Sequence, residues 1–182
     1  MILNVPWNIL RILLDSSFLR HLELVQQIPT ISNFSQQKDW EFIIPEIVLN
    51  ELNVNGLSEP LQNLLSDNTI NSHQCNEDQF FLLQNQLMGL DEGELEAICI
   101  VSLCEDQTFK IYLILTDDNA AQKKAGDLGM NSLDIVTFLF TANREGFLTK
   151  STVLNSLNIL SAENYHIPTD LREDIEKRLV DT

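Results

Sequence analysis

The sequence has few basic residues. Lysine and arginine together number 11, against 27 aspartates and glutamates, which gives a formal net charge of −16 at pH 7. A chain this acidic repels polyanions at long range, and this argues against broad electrostatic adhesion to nucleic acid or to an anionic membrane. A phosphate-bearing partner would need local help from a metal ion or a small basic patch.

Long hydrophobic runs are also lacking. No stretch reaches the roughly 18 uninterrupted apolar residues of a membrane helix. The opening segment, MILNVPWNILRILLDSS, is interrupted by Pro6, Arg11 and Asp15 and has neither a basic n-region nor a small-residue cleavage site. It therefore predicts mature structure rather than a signal peptide. We expect a cytoplasmic protein with no membrane contact.

Cysteine is scarce, and the usual motifs of several protein classes are missing. Cys75, Cys99 and Cys104 are an odd number without CxxC spacing, so neither a disulfide framework nor a zinc site is indicated and reduced thiols are expected. The absence of GxxxxGK[ST] and GxGxxG argues against a Gly-rich nucleotide-binding loop. His21 and His166 lack a nearby nucleophile pattern, so a Ser-His-Asp arrangement has no support.

What is present is the pattern of a globular α/β protein. The chain has 182 residues, of which 44% are hydrophobic and 21% charged. Periodicity predicts strands at 11–14, 41–45, 68–71 and 110–116, a loop at 31–39, and helices at 17–27, 46–52, 59–66, 78–88, 92–105, 119–129, 133–144, 151–160 and 169–180. This alternation predicts a three-layer α/β/α sandwich with a central, mainly parallel sheet and extra C-terminal helices. We assign residues 1–147 to the α/β domain and 148–182 to a helical extension packed on it.

Acidic residues follow the predicted strands. Sites in open parallel sheets form at the carboxyl ends of the strands. Asp15 directly follows the first strand, and Asp117 and Asp118 follow the strand at 110–116. Glu51 lies on the helix after the second strand, and Glu94 opens the apolar helix at 92–105. These carboxylates can therefore meet at one edge of the sheet.

Clustered carboxylates repel one another unless a cation is present. Mg²⁺ and Mn²⁺ take oxygen ligands and complete their shell with water and substrate phosphate. Such a metal lowers the pKa of a bound water and neutralises charge on a phosphodiester. A metal site is one interpretation, with Lys123 or Lys124 contacting a nucleic-acid backbone. The alternative is that Asp15 and Asp118 only cap helices.

Four segments in order resemble the PIN domain, a metal-dependent ribonuclease fold. They are LLDSSFL (13–19), IIPEIVLNEL (43–52), GLDEGELEAI (89–98) and ILTDDNAAQKKAGDLG (114–129). The sequence is similar to the bacterial and archaeal branch that includes toxins of VapC type and carries a GExEAI helix and a double aspartate. The tail at 135–160 also resembles that branch, so the resemblance covers nearly the whole chain.

The resemblance implies a set of site residues. The first two family acids fall on Asp15 and Glu51. The third falls on Glu94, with Glu96 as the alternative about 200° around the helix. The fourth falls on Asp118, with Asp117 as a neighbour that can share the metal.

The same resemblance implies Mg²⁺ or Mn²⁺ as the cofactor, with Ser17 and Thr116 as small polar supports. Two departures concern substrate handling. The branch often has an arginine where Gln122 and Lys123 stand, and a glycine and threonine pair where Asn131 and Ser132 stand.

Three functions follow as hypotheses. The resemblance implies an endoribonuclease acting on RNA, in one setting a toxin controlled by an antitoxin protein. It also implies a homodimer, formed through helices near 46–66 or 168–180. The charge of −16 and the scarcity of Lys and Arg favour instead a catalytically silent PIN-like module for protein assembly. A phosphoryl-transfer receiver domain is disfavoured because no strand-end lysine follows in the last part of the chain.

Overall fold

The structure is a computed structural model. It describes residues 10–38, 40–54, 56–75, 111–127 and 129–180, together with Asp78, Phe81, Asn85, Leu95 and Ile100. Glu94 and Glu96, and most of the helices predicted at 78–88 and 92–105, lie outside the described residues.

The described strands form one parallel sheet. They are β1 (Leu10–Leu14), β2 (Trp40–Pro45), β3 (Ile70–His73), β4 (Ile111–Leu115) and β5 (Asn131–Leu133). Their order is β3-β2-β1-β4-β5, and every neighbouring pair is parallel. β1 lies at the centre, where Ile12 pairs with Phe42 on one side and with Leu113 on the other. The predicted parallel sheet is confirmed.

Helices connect and cover these strands. The helices whose bounds the structure describes are α1 (Ser16–Leu24), α2 (Thr30–Lys38), α3 (Glu46–Val54), α4 (Glu59–Ser66), α5 (Asn119–Asp127), α6 (Ile135–Arg144), α7 (Lys150–Ala162) and α8 (Thr169–Val180). Polar caps begin several of them: the side chain of Asp134 accepts from Thr137 N at the start of α6, and Thr149 does the same from Thr152 N at α7. Such caps satisfy backbone N–H groups that have no partner within the helix.

Both faces of the sheet are buried. Successive side chains of a strand point to opposite faces. On one face, Ile12 and Leu14 belong to the main core cluster. On the other face, Leu13 and Ile43 are 0% and 2% exposed, so this face is covered as well. This arrangement confirms the α/β/α sandwich.

The C-terminal helices share the core with the sheet. Val153, Leu157 and Leu160 of α7 and Ile175 of α8 belong to the same buried cluster as the strand residues. The helix predicted at 151–160 is thus confirmed and extended, and the helix predicted at 169–180 is confirmed with the same bounds. The boundary between 147 and 148 stays a prediction.

The loop predicted at 31–39 is wrong, because α2 occupies nearly all of it. Its sequence, TISNFSQQK, is polar and has a weak helical pattern. Burial of Ile31 and Phe34 and the stacking of Phe34 on Trp40, with ring centroids 4.2 Å apart, stabilise the helix. Tertiary packing here overrides weak local propensity.

Two other expectations are corrected. β5 has no counterpart among the predicted strands, and its last residue, Leu133, falls in the helix predicted at 133–144, because three residues are too few to show a strand period. Cys75 is disulfide-bonded, which corrects the expectation of reduced thiols. None of the helices in the described part of the chain combines the length and the hydropathy of a membrane-spanning segment.

Candidate functional site

The order in which the chain adds strands to the sheet reverses between β1 and β4. From β1 the chain proceeds outward to β2 and β3, and it then returns to the other side of β1 to form β4 and β5. In open parallel sheets, ligands bind at the carboxyl ends of the strands next to such a reversal. Asp15 follows β1 and residues 116–118 follow β4, so both acidic segments lie at this position. The backbone N–H of Asp15 donates to the carbonyl of Leu115 across 3.0 Å, which joins the two strand ends directly.

Asp15 is held through one of its two carboxylate oxygens. It is the N-cap of α1, with Oδ2 accepting from the backbone N–H of Ser17 at 3.3 Å. The same oxygen accepts from the Ser17 hydroxyl and, at 2.9 Å, from the Thr116 hydroxyl. Oδ1 makes no hydrogen bond to any residue that the structure describes. Asp15 is therefore both a helix cap and a carboxylate with an oxygen available to a ligand.

Two hydroxyls connect Asp15 to the turn after β4. Ser17 Oγ accepts from the backbone N–H of Asp117 at 3.0 Å, and Thr116 Oγ1 accepts from that of Asp118 at 3.1 Å. A hydroxyl has one hydrogen to donate, and both hydroxyls direct it to Asp15 Oδ2. Thr116 is 0% exposed, so this link lies away from solvent. The position of Asp15 is thus fixed relative to residues 117 and 118.

Asp118 is exposed and caps α5. Its Oδ1 accepts from the backbone N–H groups of Ala120 at 2.6 Å and Ala121 at 2.9 Å. The capping interpretation of Asp118 is therefore correct for this oxygen. Oδ2 makes no hydrogen bond within the described part of the chain. The cap orients the carboxylate and leaves one oxygen available, so capping and ligand binding are compatible.

Asp117 has a different environment from its neighbour. Its side chain is only 2% exposed. Oδ1 accepts from the backbone N–H of Ile135 and from the hydroxyl of Tyr165, each at 2.8 Å, and Oδ2 lies 2.7 Å from Nδ1 of His21. The side chains of the two adjacent aspartates therefore point in opposite directions. Asp118 faces solvent, whereas Asp117 faces the protein interior and has partners on both oxygens.

Sequence reasoning missed His21 and Tyr165. Tyr165 lies 48 residues after Asp117, in the connection between α7 and α8, and no local motif marks it. His21 follows Ser17 by four residues on α1 and so lies on the same face of the helix, which is the one signal that could have placed it near the aspartates. Burial and the adjacent Asp117 carboxylate raise the pKa of the Tyr165 phenol, so Tyr165 is a hydrogen-bond donor at neutral pH.

Glu51, the other predicted acid that the structure describes, is not joined to this cluster by a side-chain hydrogen bond. Glu51 is half-buried on α3, and its carboxylate makes no hydrogen bond to any described residue. Glu94 lies outside the described residues. Within the described part of the chain, no group of three or more His, Cys, Asp or Glu side chains is arranged to hold a metal ion.

Two carboxylates nevertheless have the donor chemistry of a magnesium-type site. Mg²⁺ is usually bound by one or two carboxylates, keeps several waters and takes further oxygens from substrate phosphates. Asp15 Oδ1 and Asp118 Oδ2 are hard oxygen donors of the required kind. Thr116 links the two residues, because its hydroxyl donates to Asp15 Oδ2 and accepts from the backbone N–H of Asp118. Residues present at this position are thus compatible with a divalent cation.

Comparison with known proteins identifies the family. No curated protein matches the chain. A solved structure of a PilT N-terminus domain protein from the hyperthermophilic archaeon Sulfolobus solfataricus P2 is similar, with a TM-score of 0.45 and 16% identity, over 81% of this chain and 94% of that one. The model of the PIN-domain family DUF3368 matches residues 11–180. The chain therefore belongs to the PIN-domain family, whose members are typically nucleases.

Proposed function

We propose that the protein is a metal-dependent ribonuclease that hydrolyses RNA phosphodiester bonds at the carboxyl ends of β1 and β4. The observation that supports it is the pairing of Asp15 and Asp118 through the Thr116 hydroxyl, which donates to the first and accepts from the backbone of the second. Each of the two aspartates keeps one carboxylate oxygen without a hydrogen bond in the described part of the chain.

Asp15 and Asp118 would hold Mg²⁺ or Mn²⁺. Glu51, Glu94 and Asp117 are further candidates from the resemblance, and of these Asp117 is the least suited because both of its oxygens already have partners. The bound cation would lower the pKa of a water and neutralise negative charge on the phosphodiester. The chain itself contributes orientation: Ser17 and Thr116 fix Asp15, and the first turn of α5 fixes Asp118.

The charge distribution restricts how RNA could bind. Several basic side chains are already engaged, including Lys38 with Glu145 and Arg172 with Glu176. Lys123 and Lys124 lie on α5, the helix that Asp118 caps, and Lys123 is exposed. We propose that they contact the RNA backbone beside the metal. With so few phosphate contacts, binding would depend mainly on the site itself and only weakly on salt.

The silent protein-interaction module is the second candidate. The charge of −16 favours it, because phosphate contacts normally come from lysine and arginine. It differs from the first proposal in two measurable respects, since it requires neither metal binding nor RNA turnover.

Cleavage of mixed RNAs in the presence of Mn²⁺ tests the nuclease proposal. Asp15→Asn and Asp118→Asn keep the size of each side chain but remove its charge, and we expect both to abolish cleavage. Asp170→Asn is the matched control, because Asp170 is an exposed residue in the first turn of α8. Equal RNA patterns for the wild type and both site variants would rule the proposal out, and the silent module would take its place.

The toxin role, the antitoxin partner and the homodimer rest on resemblance alone, and the location rests on the sequence pattern. We propose a toxin of VapC type with an antitoxin partner, a homodimer and a cytoplasmic location. Light scattering on the purified protein, run alone and with its candidate antitoxin, tests the homodimer and the antitoxin partner. A monomer at micromolar concentration would exclude a stable homodimer.

A further inference from the structure

The buried carboxylate of Asp117 joins three separate parts of the chain. His21 belongs to α1, Ile135 begins α6, and Tyr165 lies between α7 and α8. A carboxylate that is almost fully buried needs such partners, because it has lost its hydration. The backbone N–H of Ile135, at the N-terminus of a helix, also provides a favourable partial positive charge.

The rings of His21 and Tyr165 support each other. Their centroids are 4.9 Å apart and their planes meet at 86°, an edge-to-face contact. This arrangement is among the favoured geometries for aromatic pairs. The two donors to Asp117 are therefore oriented by mutual packing as well as by their hydrogen bonds.

A continuous path of hydrogen bonds leads from this cluster to the candidate site. The side chain of Asp117 is fixed by His21 and Tyr165. The backbone N–H of the same residue donates to Ser17 Oγ at 3.0 Å, and Ser17 donates to Asp15 Oδ2. A displacement of Asp117 would therefore change the orientation of Asp15.

We propose that His21 and Tyr165 are positioning residues for metal binding, and this inference rests on the proposed metal-dependent function. They act through Asp117 and Ser17 on Asp15, and neither contacts the metal or the RNA. Partners that orient metal ligands typically contribute about 10-fold to 100-fold in affinity or activity.

The histidine test compares two replacements of His21. Leucine removes the donor, whereas asparagine can place an amide N–H near the position of Nδ1, because both atoms are bonded to Cγ. Tyr165→Phe keeps the ring beside His21 and removes only the hydroxyl. His166→Leu is the matched control for His21→Leu, because His166 is exposed and is not part of the cluster.

Mn²⁺ binding is measured first, by calorimetric titration of the full chain, and RNA cleavage second. We expect His21→Leu and Tyr165→Phe to weaken Mn²⁺ binding about tenfold and to lower kcat with KM unchanged. His21→Asn should recover most of both losses, and His166→Leu should equal the wild type. Thermal melting verifies that each variant is folded; if His21→Leu does not fold, Tyr165→Phe and His21→Asn still test the proposal.

Failure of this inference can be distinguished from failure of the proposed function. If the wild type binds Mn²⁺ and Tyr165→Phe binds it equally well, the positioning role is overturned and the nuclease proposal stands. If KM rises instead of kcat falling, the residues act on the RNA and positioning is again overturned. If the wild type itself does not bind Mn²⁺, both proposals fail together.

Discussion

The hydroxyl of Tyr165 donates a hydrogen bond to Oδ1 of Asp117 across 2.8 Å and so joins the C-terminal part of the chain to the end of β4. The carboxylate that accepts it is 2% exposed. Water therefore has little access to replace a lost donor. The remaining partners, Ile135 N and His21, already have their own hydrogen bonds to the carboxylate and do not replace the lost one. This single contact should have a measurable effect on stability.

Tyr165→Phe should destabilise the protein. Hydrogen bonds to charged groups contribute about 1.5 to 3 kcal/mol, and the backbone N–H that remains on Oδ1 places this one near the lower value. For a chain of this size, a loss of about 1.5 kcal/mol lowers Tm by roughly 3 to 6 °C. Urea unfolding at pH 7 measures the change directly. Unfolding midpoints that coincide for variant and wild type would show that the hydroxyl contributes nothing.

The contribution of Tyr165 should depend on pH in the alkaline range. Burial and the Asp117 carboxylate raise the pKa of this phenol above its ordinary value of 10.0. Above about pH 10 the unfolded chain therefore loses a proton that the folded chain keeps, and the stabilisation, complete below that pH, declines as pH rises. The stability difference between wild type and Tyr165→Phe should thus be constant from pH 7 to 9 and shrink at pH 10.5. Urea midpoints at these values test it, and a difference that grows with pH would contradict it.

Phe34 should be important for stability although its helix has a weak sequence signal. Its ring stacks on Trp40 at 4.2 Å and lies 4.8 Å from Phe147 and 5.2 Å from Phe138. Replacing a buried phenylalanine with alanine typically costs about 3 to 5 kcal/mol. Phe81→Ala is the control, because Phe81 is 65% exposed. Chemical denaturation should separate the two variants clearly, and equal midpoints would contradict the packing described for α2.

The success and failure of sequence reasoning have physical explanations here. β1, β2 and β4 were predicted because strands buried on both faces are continuous apolar runs, which are visible locally. α2 was missed because its stability comes from Phe34 packing on Trp40, which belongs to the next strand, and on Phe138, which is distant in the sequence. β5 was missed because three residues carry no period.

The candidate site was predicted only in part for the same reason. Asp15 and Asp118 follow strands, so the rule for parallel sheets brought them to one edge, and the structure places both beside Thr116. The sequence does not show that Asp117 points inward, since adjacent aspartates look alike. Its orientation depends on Tyr165, which is 48 residues away. Ligand roles for Asp15, Glu51, Glu94, Asp117 and Asp118 stay predictions.

Thr116 provides a test of the link between Asp15 and Asp118. Thr116→Val keeps the shape of the side chain but removes a hydroxyl that donates to Asp15 and accepts from the backbone of Asp118. Because the residue is 0% exposed, water cannot readily restore these bonds, and the loss should be about 1 to 3 kcal/mol. Cleavage of RNA should also fall, since the Asp15 carboxylate and the backbone N–H of Asp118 both lose the hydroxyl that they share. Thr116→Ser retains the hydroxyl and should keep most of the activity while losing some stability through its missing methyl group. Parallel measurement of urea midpoints and initial cleavage rates distinguishes the two effects: if valine and serine variants cleave RNA equally well, the hydroxyl does not position the site.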